Sequence, residues 1–200
     1  MHRSRFFSAG WILLVTAITQ CSCQQRPSKD EILAGMREED LRALQSMNST
    51  PLHVDGINKP VLKPSSEVQL GDDAMVIGVS HLGKSRAYPI RSLSGMMDHV
   101  VNDVVTDQDG LDSSPVTVTY CDMTNCARVF TGDPADGMRH LGLGTLGLLD
   151  GGLALRWQGR QFKQNDQIEG LTDLPFELTT WGEWKSKHPE TEVFAGRSKK

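Results

Sequence analysis

Beyond its first twenty residues the chain has no apolar run of membrane length, because every such run is broken by glycine, proline or a charge. A spanning helix needs roughly 20 apolar residues, so the body of the chain is expected outside the bilayer. Basic clusters are also scarce. The densest, Arg197 with Lys199 and Lys200, reads as a solvated tail, whereas a phosphate-binding surface carries a basic patch; nucleic acid is not an expected partner. No internal repeat or low-complexity tract occurs. Cys126 is followed by Ala127 and Arg128, which is not a haem attachment pattern, and no Gly-x-Ser-x-Gly elbow marks a serine hydrolase. Asp107, Asp109 and Gly110 suggest a calcium loop, but its first and twelfth positions would be Val105 and Val116, which offer no carboxylate. A plain turn is expected there.

What is present begins with a targeting signal. His2, Arg3 and Arg5 precede an apolar stretch from Trp11 to Ile18, which turns polar at Thr19, the order of a secretory signal. Cys21 and Cys23 follow at once, so either could carry the lipid of an envelope lipoprotein. Simple secretion and an uncleaved apolar anchor remain the alternatives. Loss of residues 1–20 removes two arginines and no acid, moving the formal charge from -4 to -6. The rest suffices for one core, since about 150 residues bury roughly 70% of their unfolded surface. The expected division is a signal over 1–23, a helix and linker over 24–52, and one β-rich domain over 53–200.

Ser28 and Glu31 form a capping box, and Ile32, Leu33, Met36, Leu41, Leu44 and Met47 recur at helical spacing; an amphipathic helix is predicted over 28–47. Pro51, Pro60 and Pro64 predict an extended connector over 48–69. Residues 75–79 and 85–88 read as a hairpin around 81–84, and Arg91 to Val100 as a short helix weakened by Gly95. Val116, Val118 and Tyr120 alternate with Thr117, Thr119 and Cys121, the pattern of a strand with one buried face. Residues 126–131 can pair back onto it. Residues 141–149, 153–157 and 160–163 read as a meander, with the glycines of 142–152 as turns. Thr180 with Glu183 caps a helix that Pro189 stops. The class is α+β, a mainly antiparallel β-sheet domain with a few short helices, preceded by the N-terminal amphipathic helix.

Gly78 to Ser85 matches the phosphate-loop pattern. That loop requires a helix at its end to aim amides at phosphate, and Arg86-Ala87-Tyr88-Pro89 reads instead as a returning strand. No nucleotide is expected. The remaining chemical signal is Cys121 to Cys126, flanking four residues between two strands. Opposed antiparallel residues lie about 4.5–5.5 Å apart at Cα, within the roughly 4.4–6.8 Å of a disulfide. The sulfurs could form a structural disulfide, worth only about 2 kcal/mol for so short a loop, or act as thiols. Alternation puts Cys121 with Thr117 and Thr119, which predicts an accessible sulfur, and Arg128 is placed to lower a thiol pKa.

The segments Asp55-Gly56-Ile57-Asn58-Lys59-Pro60, Val76-Ile77-Gly78-Val79, Arg86-Ala87-Tyr88-Pro89, His99-Val100-Val101-Asn102-Asp103, Val118-Thr119-Tyr120-Cys121 and Thr180-Trp181-Gly182-Glu183-Trp184, leading to His188-Pro189, stand together in this chain. On them, from about His53 to Gly196, it resembles the bacterial family catalogued as domain of unknown function 3179. The resemblance implies a hairpin at the phosphate-loop match and brings no established activity. The family pattern usually spaces its two cysteines by two residues, and here four intervene, which puts a tight metal knuckle in doubt. His99 and Asn102 fall in the same resembling set as Cys121. This invites a centre of Cys121, Cys126 and His99 that suits copper or zinc, with Tyr88, Asn102 and Arg128 as binding groups. Taken alone, His99 reads as a surface or helix-end residue, Tyr88 and Tyr120 as core aromatics with partnered hydroxyls, and Trp181 and Trp184 as packing residues.

Two functions follow from the sequence. One is a redox-active or soft-metal-handling thiol site at Cys121 and Cys126 in a membrane-anchored envelope protein with an envelope partner. The other is a non-enzymatic binding or scaffold module in which Cys121 and Cys126 pin a loop. Accessibility separates them: buried sulfurs with His99 remote favour the module. A hydrolase built on Asp, His or Tyr groups has no constellation here that spacing defends.

Overall fold

The computed structural model describes residues 53–95 and 97–198. The signal, Cys21, Cys23 and the 28–47 helix lie outside them.

Among the described residues, thirteen strands form three sheets. The central one runs β11-β7-β6-β5, from Leu171–Asp173, Cys126–Gly132, Ser113–Cys121 and Val100–Thr106. One flanking sheet runs β1-β8-β9-β10, from Val54–Asp55, Gly144–Leu149, Gly152–Trp157 and Arg160–Lys163. The other runs β12-β3-β4-β13-β2, from Glu177–Thr180, Met75–His81, Lys84–Pro89, Glu192–Arg197 and Pro60–Pro64. Helix α1, Trp181–Lys187, covers the outer face of that five-stranded sheet. Among the described residues these strands pair antiparallel except β4 with β13, and Ile57 makes an isolated parallel bridge to Val101, so the mainly antiparallel expectation holds.

Three tight hairpins follow from turn chemistry. Leu82-Gly83, Asp150-Gly151 and Gln158-Gly159 all have positive φ, between 48° and 76°, as a two-residue turn matched to strand twist requires. The phosphate-loop match is thus a hairpin, with His81 opposite Lys84. Gly78 within it has its own reason: a Cβ there would lie 2.3 Å from the Trp184 ring. Thr180 accepts from Glu183 N at 3.4 Å and starts α1 as the capping box predicts. Trp181 and Trp184 pack on Val76, Ala87 and Val193.

Three expectations are corrected. Arg91 to Val100 is not a helix: a single 3-10 turn spans Ile90–Ser92, Asp98 N closes a turn on Gly95 O at 2.8 Å, and Val100 opens β5. The β-branched run Val100, Val101, Val104 and Val105 fits a pleated, buried surface better than a helix. The connector is structured from residue 54 on, and β2 is an edge strand bounded by Pro60 and Pro64, where a missing donor interrupts no ladder. Finally, β6 has two buried faces. Val116, Val118 and Tyr120 meet Ile77, Val79, Tyr88 and Phe194 on one side, and Val100, Cys121 and Phe130 meet Leu143, Leu153, Leu155 and Trp157 on the other. Thr117 and Thr119 are fully buried because their hydroxyls are bonded, to Asn102 Oδ1 at 2.8 Å and Arg128 O at 3.0 Å.

Burial lowers the pKa of His81 and of His140 below 6.5. Their neutral forms therefore favour the fold, and that stability, present above about pH 6.5, is lost as pH falls through the lowered values. Thermal melts at pH 7 and pH 5 are expected to show a lower midpoint at pH 5. Replacing both histidines by glutamine should shrink the difference.

Candidate functional site

The hydrogen-bond phase of the central sheet fixes where each candidate residue falls. Tyr120 N donates to His99 O at 3.0 Å, so β6 points its even-numbered amides towards β5 and its odd-numbered ones towards β7. Cys121 and Cys126 are register partners at the end of the β6–β7 ladder, the hydrogen-bonded type of rung with Cα atoms about 5.5 Å apart. The two cysteines thus stand directly opposite each other, as their spacing predicts.

Their environment corrects the expectation of an accessible sulfur. Cys121 is 1% and Cys126 2% exposed, and both are thiols rather than one disulfide. Cys121 lies among Phe130, Leu141, Trp157 and Ile168. Cys126 Sγ faces Asn165 Oδ1 at 3.9 Å. The cover is the chain between β10 and β11. Gln164, itself buried, donates from Nε2 to Thr119 Oγ1 at 3.0 Å and to Cys126 O at 3.2 Å.

Arg128 holds this cover. Its Nη1 donates to Gln164 O and Asp166 O, and its Nε and Nη2 bind Asp173 at 2.6 and 2.9 Å. The guanidinium sits 4.7 Å over the Phe130 ring. It is therefore committed to the strap and to a carboxylate, rather than placed to activate a thiol.

His99 pairs with Tyr120 and, by alternation along the ladder, falls on the face opposite Cys121 and Cys126. The three proposed metal ligands are not brought together. His99 Nδ1 is buried without a hydrogen-bond partner among the described residues. Among those residues, no group of three or more His, Cys, Asp or Glu is arranged to hold a metal ion.

Asn102 shares the thiol-side face of the central sheet and is 1% exposed. Its Nδ2 donates to Asn58 Oδ1 at 2.7 Å and Leu143 O at 2.8 Å, while its Oδ1 accepts from Thr117 Oγ1 at 2.8 Å and Leu143 N at 3.1 Å. All four amide valences are used in joining layers. Gly56 must be glycine beside it, since a Cβ would lie 2.4 Å from Leu143 O and 2.5 Å from Asn102 Nδ2.

The sequence reading missed a buried ionic cluster on the other face. Tyr88 donates to Asp103 Oδ2 at 2.6 Å, and Arg86 pairs with the same oxygen. Arg86 also donates to Val104 O at 3.1 Å, and Val104 N donates to Asp103 Oδ1 at 2.7 Å. The cluster thereby satisfies the open backbone of edge strand β5, the groups that would otherwise template aggregation. Burial opposes the Arg86 charge, but the Asp103 carboxylate more than restores it and raises the pKa. Burial and then Asp103 hold the Tyr88 hydroxyl well above its usual value, keeping it a donor. The hydroxyl of Tyr120, whose pKa is likewise raised by burial, donates to Asn125 Oδ1 at 2.9 Å.

A family model described as "Protein of unknown function (DUF3179)" matches residues 54–200. The chain belongs to the DUF3179 family. The match opens at Val54, the first residue of β1, and takes in all three sheets and α1. No curated protein and no solved structure matches the chain.

Proposed function

We propose that this DUF3179 domain is a non-enzymatic binding or scaffold module of the cell envelope, exported by the segment 1–23 and lipid-anchored through Cys21 or Cys23. The observation that carries the reading is the burial of both Cys121 and Cys126 beneath the Gln164 strap, with His99 assigned to the opposite face. The remaining polar candidates act within the fold: Asn102, Arg128 and Tyr88 each hold one layer or segment to another. Satisfied polar networks of this kind rigidify a core and specify one arrangement of it.

A second reading keeps the thiols as the working groups, in disulfide exchange with an envelope partner or in holding copper or zinc. What favours it is the direct opposition of Cys121 and Cys126 in the ladder. A thiolate attacks only when it is accessible and of lowered pKa, so this reading requires the strap to open first.

Equilibrium titration of the purified, reduced chain with zinc, and separately with copper(I), against a competing chelator tests the module reading against the metal-handling one. The module reading expects no stoichiometric ion retained by the thiols. One equivalent bound, and lost in both Cys121→Ser and Cys126→Ser, would replace it with the metal-handling reading.

A further inference from the structure

We propose that Cys121 and Cys126 are a reversible disulfide-modification site whose redox state sets the position of the chain segment 164–171, making that surface segment oxidation-responsive. This goes beyond the module reading and does not depend on it.

The strap's contacts converge on the two cysteine-bearing strands. Gln164 bonds the carbonyl of Cys126 itself, Asn165 meets the Cys126 sulfur, and Ile168 packs in the same apolar cluster as Cys121. The opposite end of the strap rests on Trp157, against which a Cβ at Gly170 would lie 2.8 Å from the ring. Anything that moves the closing rung of β6–β7 acts on both anchors of the strap.

Disulfide formation moves that rung. Opposed residues in a ladder hold their Cβ atoms about 4.5–5.5 Å apart, whereas a disulfide requires about 3.5–4.5 Å. The pair must close by about 1 Å. That draws the Cys126 sulfur from Asn165 and the Cys121 sulfur from the cluster around Ile168 and Trp157. The reaction is an exchange with a small disulfide such as oxidised glutathione. Exchange proceeds from the strap-open form, in which the sulfurs are uncovered: one thiolate attacks a glutathione sulfur and expels one glutathione thiolate, and the second cysteine attacks the cysteine sulfur of the mixed disulfide and expels the other. The two cysteine protons pass to the departing thiolates, the cysteines lose two electrons, and one glutathione disulfide becomes two thiols. A bond made by displacing native packing is the more easily reduced kind, as a reversible switch requires.

The coupling must be reciprocal. If the disulfide loosens the strap, loosening the strap must favour the disulfide by the same factor. Asp173 supplies an independent handle, because its carboxylate clamps Arg128 from an exposed position, with 59% of its side chain accessible. Asp173→Asn weakens the strap's bolt without touching the core.

The test combines hydrogen exchange of the full chain, reduced and then equilibrated with glutathione buffers, with a redox titration of the wild type and Asp173→Asn. Oxidation is expected to speed exchange over 164–171 by about tenfold, an ordinary size for such a coupling. Asp173→Asn is expected to raise the equilibrium constant for the disulfide by up to that factor, because it removes a clamp that the reduced state holds and the oxidised state has loosened. Cys126→Ala should abolish the response to oxidant. Failure of the pair to oxidise in folded protein, unchanged or slower exchange over 164–171 after oxidation, or an unchanged redox equilibrium in Asp173→Asn would each overturn the proposal. None of these outcomes touches the metal titration above.

Discussion

Replacing Arg86 with methionine lowers the stability of the domain by about 3–5 kcal/mol, because it leaves the Asp103 carboxylate buried without its counter-charge. The charge it strands is 5% exposed, and the hydroxyl of Tyr88 is its other side-chain partner. At this chain length the thermal midpoint falls by about 10 °C. The pairing of the mutations matters more than the single value. Arg86→Met combined with Asp103→Leu should recover part of the loss, since it removes the stranded charge but leaves the Tyr88 hydroxyl and Val104 N without their acceptor. Urea unfolding of the wild type, both single variants and the double variant measures the cycle. A single variant within about 1 kcal/mol of wild type, the range of exposed pairs, would mean that the cluster is solvated and not the interlayer tie described here.

Asn102→Ala is expected to cost about 3 kcal/mol. It strands Leu143 N and the Thr117 hydroxyl, both buried, at roughly 1–3 kcal/mol for each unsatisfied group. Asn58 is at the surface and can turn to water. Asn102→Asp should be worse at neutral pH, because it removes both donors towards Asn58 and Leu143 and adds a charge where no cation faces it. The loss should show locally as well. Ile57 N donates to Val100 O and Asn102 N to Ile57 O, at 2.8 and 2.9 Å, so the amides at 56 and 57 should exchange faster in either variant. Unchanged protection there would contradict the role given to Asn102.

Local chemistry made much of this fold legible. The Thr180 cap, the glycine turns and the opposition of Cys121 to Cys126 depend on short-range geometry, and each is found where its residues put it. Strand β5 was hidden because Leu93, Met97 and Val100 fall at helical spacing while Gly95 breaks the helix that they imitate. The run Val100, Val101, Val104 and Val105 was the signal that could have found it. The third layer was hidden by threonine. In isolation Thr117 and Thr119 read as a wet face, and only the partners brought by Asn102 and Gln164 allow them to be buried.

The candidate site was legible in register and illegible in environment. Spacing could pair the cysteines, but the residues that cover them come from 164–168, some 40 positions later in the chain. The side on which His99 falls follows from the parity of the β5–β6 ladder, which no motif fixes. Arg86 and Asp103 stand 17 residues apart on different sheets, so their meeting depends on how the sheets stack.

The most direct test of the account is the kinetics of thiol modification on the native, reduced chain lacking the N-terminal cysteines, using a small aromatic disulfide reagent with and without denaturant. The account predicts that Cys121 and Cys126 react far more slowly in the folded protein than in denaturant, where both react at once. Two thiols that react as fast in the folded chain as in the unfolded one would contradict the covered site and restore the cysteine pair as an open reactive centre.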